Sequence, residues 1–275
     1  MAVAQSRPSR AAARKPASSA SSLLEVTHKG AVAHLQLTRP EKRNALSDAL
    51  IERIRSAVIA LPETTRAIVV SGAGEHFCAG LDMSELSERD AAQGVAHSRS
   101  WHAAFAQLAD GNIPVIAALH GAVIGGGLEL ASAAHLRIAD PNTYLALPEG
   151  TRGLFVGGGG SARISRLIGV SRMTDMMLTG RRFDAGEAER IGLVNYISAP
   201  GQSLALAFEL AARVAQNAPM SNYAVIQALP RIASQSTDNG LFTESLMAAI
   251  AQSDPEAKKR MRSFLSGSGA KVKRP

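Results

Sequence analysis

Three consecutive glycines, Gly125, Gly126 and Gly127, constrain this chain more than any other feature. They follow an apolar run, Val115 to Leu119, that is entered through Pro114 and broken by Gly121. They precede Leu128, Glu129, Leu130 and Ala131, all good helix formers. The pattern reads as a buried strand, a tight turn and a helix whose first residues carry no side chains. Nothing at these positions keeps a ligand from the backbone. The unpaired amides and positive dipole end of such a helix can receive developing negative charge, so the turn is a candidate oxyanion site.

Glu129 falls in the first turn of that helix, and Glu149 lies twenty positions later, after Pro148, on a loop following a predicted strand from Tyr144 to Leu147. Taken singly, a glutamate in a first helical turn matches the helix dipole, and a loop carboxylate is normally solvated. Spacing alone leaves both structural readings in place.

Upstream, Leu24 to Thr27 and Ala31 to Leu37 flank Lys29-Gly30 and predict a β-hairpin. Ser47 can cap a helix with the apolar stripe Leu50, Ile51, Ile54, Val58 and Leu61, stopped by Pro62. Ala67 to Ser71 reads as a strand, ended by Gly72-Ala73-Gly74, which sends the chain into a loop from Phe77 to Asp82. The polar stretch Ser84 to Ser98 is expected to be a mobile segment ahead of a helix from about Arg99 to Leu108. Downstream, Gly157 to Gly160 opens a helix through Ile168, and Val170 to Leu178 forms another. Asp184 caps a third that ends at Gly192, and Leu193 to Ile197 forms a short strand. From Ser203 to Leu265 the periodicity is mostly helical, with interruptions at Pro219, Pro230, Gly240 and Pro255.

Several ordered motifs occur together: Arg39 to Ser47 (R-P-E-K-R-N-A-L-S), Phe77 to Asp82 (F-C-A-G-L-D) and Gly121 to Ala131 (G-A-V-I-G-G-G-L-E-L-A). P-E-G-T-R-G, M-L-T-G and A-G-E-A-E-R-I-G-L-V follow. Over roughly residues 23 to 265 this series resembles the enoyl-CoA hydratase/isomerase, or crotonase, superfamily, and is far more specific than any one glycine-rich string. The resemblance implies an α/β fold, a spiral of ββα units forming two roughly perpendicular sheets, with a helical C-terminal region. The expected division is a basic disordered extension at 1–22, a core with the acyl-CoA site at 23–202, the helical region at 203–265 and a flexible basic tail at 266–275.

Carried over residue by residue, the resemblance assigns the backbone amides of Leu81 and Gly126 to an oxyanion hole for a thioester carbonyl. It makes Glu129 and Glu149 an acid/base pair, Glu149 donating a proton to C2 and Glu129 activating water. It places Ala79, Leu81 and Asp82 near the adenine and pantetheine portions of coenzyme A, and Arg43 and Ala45 near its nucleotide end. Read from their residue types alone, Arg43 is a solvated charge before a helix and Asp82 a turn former. One departure concerns the acyl pocket. Typical hydratases carry an aliphatic residue after P-E, then L-G and P-G-x-G-G-T, where this chain has Gly150-Thr151-Arg152-Gly153 and Phe155-Val156-Gly157-Gly158-Gly159-Gly160-Ser161. The pocket wall changes and both carboxylates stay.

Other chemistries find less support. With 46% hydrophobic and 19% charged residues among 275, the chain can bury a large core, and no apolar run approaches the roughly 20 residues of a membrane span. The net charge of +7 lies largely in the termini and aromatics are few, so nucleic-acid binding is not expected, while a polyanionic small ligand is compatible. The lone Cys78 cannot form an intramolecular disulfide, suits a reducing compartment and reads as a small buried residue. No H-E-x-x-H occurs, and His97 and His102 are five apart, so no metal site is expected. Neither glycine cluster continues into a nucleotide-binding pattern, since Arg163 stands where a dinucleotide fingerprint needs its third glycine, and Ser161 lacks nucleophile-elbow spacing. Residues 1–22 have no apolar core for a secretory signal, although their composition overlaps that of transit peptides. A cytoplasmic location is expected, with the mitochondrial matrix as the alternative.

The function implied is an enoyl-CoA hydratase, a lyase that reversibly adds water to a 2-enoyl-CoA. Coenzyme A enters as part of the substrate and no separate cofactor is expected. A Δ3-Δ2-enoyl-CoA isomerase is the alternative among enzymes, and a noncatalytic RNA-binding or scaffold member the alternative of another class. A homotrimer or dimer of trimers is the expected assembly.

Overall fold

The computed structural model describes residues 23–267. The expectations for 1–22 and for most of the C-terminal tail therefore lie outside the described residues.

The chain begins with the expected hairpin, β1 (Leu24–Lys29) and β2 (Val32–Leu37), paired antiparallel across Lys29-Gly30. Ser47 accepts a hydrogen bond from the Leu50 amide and caps α1 (Asp48–Ile59), which buries Leu50, Ile51, Ile54 and Ala57. β3 (Ala67–Gly72), β4 (Val115–Leu119), β6 (Leu136–Ala139) and β9 (Tyr196–Ile197) extend β1 and β2 into a six-stranded sheet of order β1-β2-β3-β4-β6-β9, parallel beyond the hairpin. β3 and β4 are buried along their whole length, as parallel strands covered on both faces must be. One face packs on α1 and on Trp101, Phe105 and Leu108. The other places Val69, Ile116 and Ile138 against Ala207 and Ala211 of α7 (Ser203–Ala215).

A second, three-stranded sheet, β5-β7-β8, comprises β5 (Ala122–Ile124), β7 (Tyr144–Ala146) and β8 (Arg182–Asp184). The short α3 (Gly126–Ser132) leaves β5 through Gly125. Then come α4 (Gly160–Ile168), α5 (Val170–Thr179) and α6 (Ala185–Arg190), the last capped by Asp184 as its sequence indicates. The mixed α/β architecture, two sheets and a helical C-terminal region agree with the sequence reading.

Four local expectations are corrected. The stretch 84–98 is not an irregular lead-in, because α2 spans Ala91–Ala109. Asp90 accepts from the Gln93 amide at 2.8 Å while the Gln93 side chain accepts from the Asp90 amide at 3.0 Å. This reciprocal cap starts the helix two turns early, in a segment too polar to announce it. β5 and β6 are strands the pattern did not separate from their neighbours, being only three and four residues long. Of Leu193 to Ile197, only the last two residues pair as a strand. Gly240 lies inside α10 (Thr237–Ser253), where a Cβ would meet the Ile232 carbonyl at 3.3 Å. Close packing in the first turn offsets its weak helix propensity.

The C-terminal helices are α7, α8 (Pro219–Tyr223), α9 (Leu229–Ile232), α10 and α11 (Pro255–Leu265). A π-helical turn, Ala224–Ala228, joins α8 to α9 and turns Gln227 inward. Its amide donates to the carbonyls of Asp110 and Gly111 at 2.7 and 2.6 Å, satisfying the end of α2.

Candidate active site

The glycine triplet sits where two crossings of the backbone demand it. Gly125 has φ 54°, and a Cβ there would lie 2.6 Å from a Glu149 carboxylate oxygen. A Cβ on Gly127 would lie 2.3 Å from the Cys78 carbonyl. The loop 77–82 runs alongside: Leu46 donates to the Gly80 carbonyl at 2.7 Å and Asp82 donates to the Leu46 carbonyl at 2.8 Å. In a parallel bridge of this kind the residue between, Leu81, turns its own N–H to the other side. That side is α3, where the Leu81 nitrogen lies 3.6 Å from the position of a Gly126 Cβ. Gly126 opens α3, so its amide is one of the orphan donors of a helix start. The two amides expected from sequence to bind an oxyanion are thus brought together.

Glu129, one turn into α3, is 3% exposed. One carboxylate oxygen, Oε1, accepts from the amides of Gly158 and Gly160, each at 2.8 Å. Arg163 of α4 closes a circuit around it. Its Nη2 donates to the Gly158 carbonyl at 2.5 Å and its Nε to Ser132 Oγ at 3.2 Å, and Ser132 Oγ donates to the Glu129 carbonyl at 2.7 Å. Across the loop, Ser98 of α2 donates to the Gly157 carbonyl at 2.6 Å. Burial raises the Glu129 pKa, opposed by the Gly160 and Gly158 amides and the Arg163 guanidinium, all of which favour the anion.

Glu149 follows β7 on a loop and is held differently. Its Oε2 is buried with no hydrogen-bond partner among the described residues. Loss of water raises its pKa to about 7, and the nearby Glu129 charge adds to the rise. Its own backbone amide and Arg152 pull the other way. The pair therefore combines a carboxylate surrounded by donors with one that holds its proton near neutrality.

Both glutamates face one cleft of about 440 Å³. Ala79, Leu81, Trp101, Gly126 and Val156 are among the residues that line it. Trp101 is fixed by its indole N–H, which donates to Asp48 at 3.0 Å, while His97 Nε2 meets the same oxygen at 2.8 Å.

The structure brings together Ala79, Leu81, Gly126, Glu129 and Glu149, and leaves Arg43, Ala45 and Asp82 outside the cleft lining. Arg43 is exposed and left-handed (φ 49°), and its carbonyl accepts from the Ala79 amide at 3.0 Å. Ala45 is buried next to the Leu46 to Leu81 bridge. The Asp82 carboxylate is committed to Arg39 at 2.9 Å, to Ser84 at 2.6 Å and to Lys42 at 3.5 Å, which hold its pKa well below the usual range. Its turn-forming reading thus has a structural counterpart, since it anchors the 39–42 segment to the oxyanion loop. Cys78 is fully buried, which pushes its thiol up to about 12. Among the described residues, no three His, Cys, Asp or Glu side chains come together to hold a metal, and no helix is long and apolar enough to cross a membrane.

Sequence reasoning missed Arg163, Ser132 and Ser98. Arg163 served there only to exclude a nucleotide motif. The sole signal was its place one turn past Gly160, where a helix-borne cation can reach back over the loop.

A sequence model described as enoyl-CoA hydratase/isomerase matches residues 27–271. The chain belongs to the enoyl-CoA hydratase/isomerase family. This family member is 32% identical over 239 residues to the short-chain-enoyl-CoA hydratase of Clostridium acetobutylicum, an alignment covering 86% of this chain and 92% of that one. It is 31% identical over 244 residues to the 2,3-dehydroadipyl-CoA hydratase of Escherichia coli K12, covering 88% and 95%. The crystal structure of a provisionally named enoyl-CoA hydratase from Rhodopseudomonas palustris CGA009 superposes with a TM-score of 0.88 at 54% identity, covering 91% of this chain and 97% of that one.

Proposed function

We propose that this enzyme adds water reversibly across the double bond of a 2-enoyl-CoA. The observation that carries the reading is the unequal pair of carboxylates, Glu129 ringed by donors and Glu149 with an oxygen that is buried and unpartnered among the described residues, facing one cleft that Leu81 and Gly126 also line.

The thioester oxygen takes hydrogen bonds from the Leu81 and Gly126 amides, which draws electron density from C3. Water attacks C3 as ionised Glu129 removes its proton, and the π electrons move onto the thioester oxygen as an enolate. Losing one such donor costs about 3 kcal/mol in the transition state. The enolate collapses by taking the proton of Glu149 at C2, giving the 3-hydroxyacyl-CoA. Glu129 is left protonated and Glu149 ionised, and proton exchange with solvent restores the starting pair. The elevated pKa of Glu149 suits the donor and the amides around Glu129 suit the base. The cycle consumes no cofactor.

The test is turnover of crotonyl-CoA, followed as loss of the conjugated thioester absorbance with product mass. A gain of one water is expected, reduced on the order of 10²-fold or more in both Glu129→Gln and Glu149→Gln. Double-bond migration in a 3-enoyl-CoA without water gain would instead assign an isomerase. Silence on all enoyl-CoAs together with salt-sensitive RNA binding would assign a noncatalytic member.

We also propose that the protein assembles as a trimer or a dimer of trimers. Leu241, Phe242 and Leu246 of α10 and Phe264 and Leu265 of α11 are exposed, an apolar surface suited to another copy. Light scattering is expected to give the mass of three or six chains.

A further inference from the structure

Resting on the acyl-CoA reading of the cleft, we propose that the acyl group it takes ends in a carboxylate, received by Arg89 and Arg152. Apart from Glu129 and Glu149, the titratable side chains lining the cleft are Arg89, His97 and Arg152, all nitrogen bases. A plain alkyl chain needs none of them.

Arg89 precedes α2, and its side chain is only 25% exposed. It forms an ion pair with Asp48 Oδ2 at 4.0 Å, too long for a hydrogen bond. Asp48 is itself committed, since Oδ1 accepts from Trp101 and meets His97. Arg152 follows Glu149 by one short turn and makes no ion pair within the described residues, although its charge acts on Glu149. Other arginines near the site are used by the fold: Arg163 holds Gly158 and Ser132, and Arg39 holds Asp82. Two guanidiniums, Arg89 in one long ion pair and the exposed Arg152 in none, are without hydrogen-bonded partners among the described residues and line a cleft whose wall also includes Leu86, Leu154 and Phe155. An alkyl terminus there would strip water from cationic groups and return nothing. A carboxylate matches the planar fork of a guanidinium and takes paired, charge-assisted hydrogen bonds.

The coenzyme A phosphates offer the same anionic chemistry, and the experiment separates the two sources. kcat/KM is measured for crotonyl-CoA and for the CoA monothioesters of five- and six-carbon 2-enedioic acids, with wild type, Arg89→Met and Arg152→Met. Wild type is expected to prefer a carboxylated substrate by about 10-fold or more, and the preference to fall about 10- to 100-fold in the variants, as for loss of a charged hydrogen bond. Calorimetric binding of the saturated analogues, carboxylated against plain, is expected to show the same change. A preference that survives both substitutions overturns the proposal. So does an equal loss on all CoA esters that vanishes with short pantetheine thioesters, which would assign the arginines to the phosphates. Absence of turnover on crotonyl-CoA and on every carboxylated ester, with Glu129 and Glu149 intact, would overturn the hydratase reading and this inference with it.

Discussion

Glu129 lies on a helix with one oxygen fixed by two amides, its loop clamped by Arg163 and Ser98. Glu149 lies on a loop, one oxygen pressed against Gly125 and the other buried without a partner. Both side chains are carboxylates taken partly out of water, so burial raises both pKa values. What differs is the return each receives from the protein. Hydrogen bonds to the anion oppose desolvation at Glu129 without reversing it, while at Glu149 only its own backbone amide and Arg152 do so. Identical side chains thus meet different sets of donors according to where the backbone places them.

The largest effect that would sharpen this contrast is on pH. Hydration needs Glu149 protonated, so kcat/KM for hydration is expected to fall about tenfold per unit as pH rises beyond about 7, roughly 100-fold by pH 9. Dehydration of the 3-hydroxyacyl-CoA starts from the same pair carrying the same single proton, and the overall reaction exchanges none with solvent, so its kcat/KM should fall in parallel. A hydration rate that stays flat from pH 6 to pH 9 would remove Glu149 as the proton donor.

Next in size is the Glu129 cradle. A Cβ on Gly160 would lie 2.7 Å from Glu129 Cγ, so Gly160→Ala is expected to cost about 1–3 kcal/mol of stability by overpacking, with most of the activity lost. Denaturant unfolding beside the crotonyl-CoA assay measures both. A variant of full activity would mean that Glu129 is not held where the base must stand.

The two glutamines should then separate in stability. A carboxyl whose pKa is raised by folding binds its proton more tightly when folded, so its contribution is most favourable below the ordinary 4.5 and is lost as pH rises to about 7. Glu149→Gln is therefore expected to be more stable than wild type at pH 8, by about 1–2 kcal/mol, while inactive. Glu129→Gln is relieved of the same cost of burying a charge but loses the charged hydrogen bonds from Gly158 and Gly160, so its gain at pH 8 should be the smaller of the two. Thermal melts at pH 5 and pH 8 compare them.

The smallest expected change concerns Arg163. Arg163→Gln should lower kcat about 10-fold with little change in KM, and Arg163→Lys should recover part of it by restoring charge without the fork. Equal defects in both would assign the residue to packing against Phe105, over whose ring it lies at 5.9 Å.

How much of this could be read beforehand follows from how local each signal is. Glu129, Glu149, Leu81 and Gly126 lie in contiguous motifs, and the hairpin, α1 and the caps at Ser47 and Asp184 follow from neighbours in sequence. The circuit of Ser98, Ser132 and Arg163 does not, because Ser98 meets Gly157 across 59 positions and Arg163 meets Ser132 across 31. Serine and arginine in helices usually mark solvated faces, so only the folded backbone shows what they bind. The start of α2 is hidden from the sequence for a related reason. Its cap, Asp90 with Gln93, is local, but the face it supports, Trp101, Phe105 and Leu108, becomes apolar only at its far end. Asp48 is a further instance, at once the first residue of α1 and the anchor for Trp101 and His97 on α2.

Gly125 shows what such overlap means for change by single substitutions. Its φ of 54° and the Glu149 oxygen 2.6 Å from its missing Cβ are independent demands met by one hydrogen atom. Any replacement strains the turn and displaces the proton donor together, so no second change confined to one of the two problems restores the other. A saturation library at position 125, screened for turnover, should return a single survivor, while one at Arg43, left-handed but exposed, should return many.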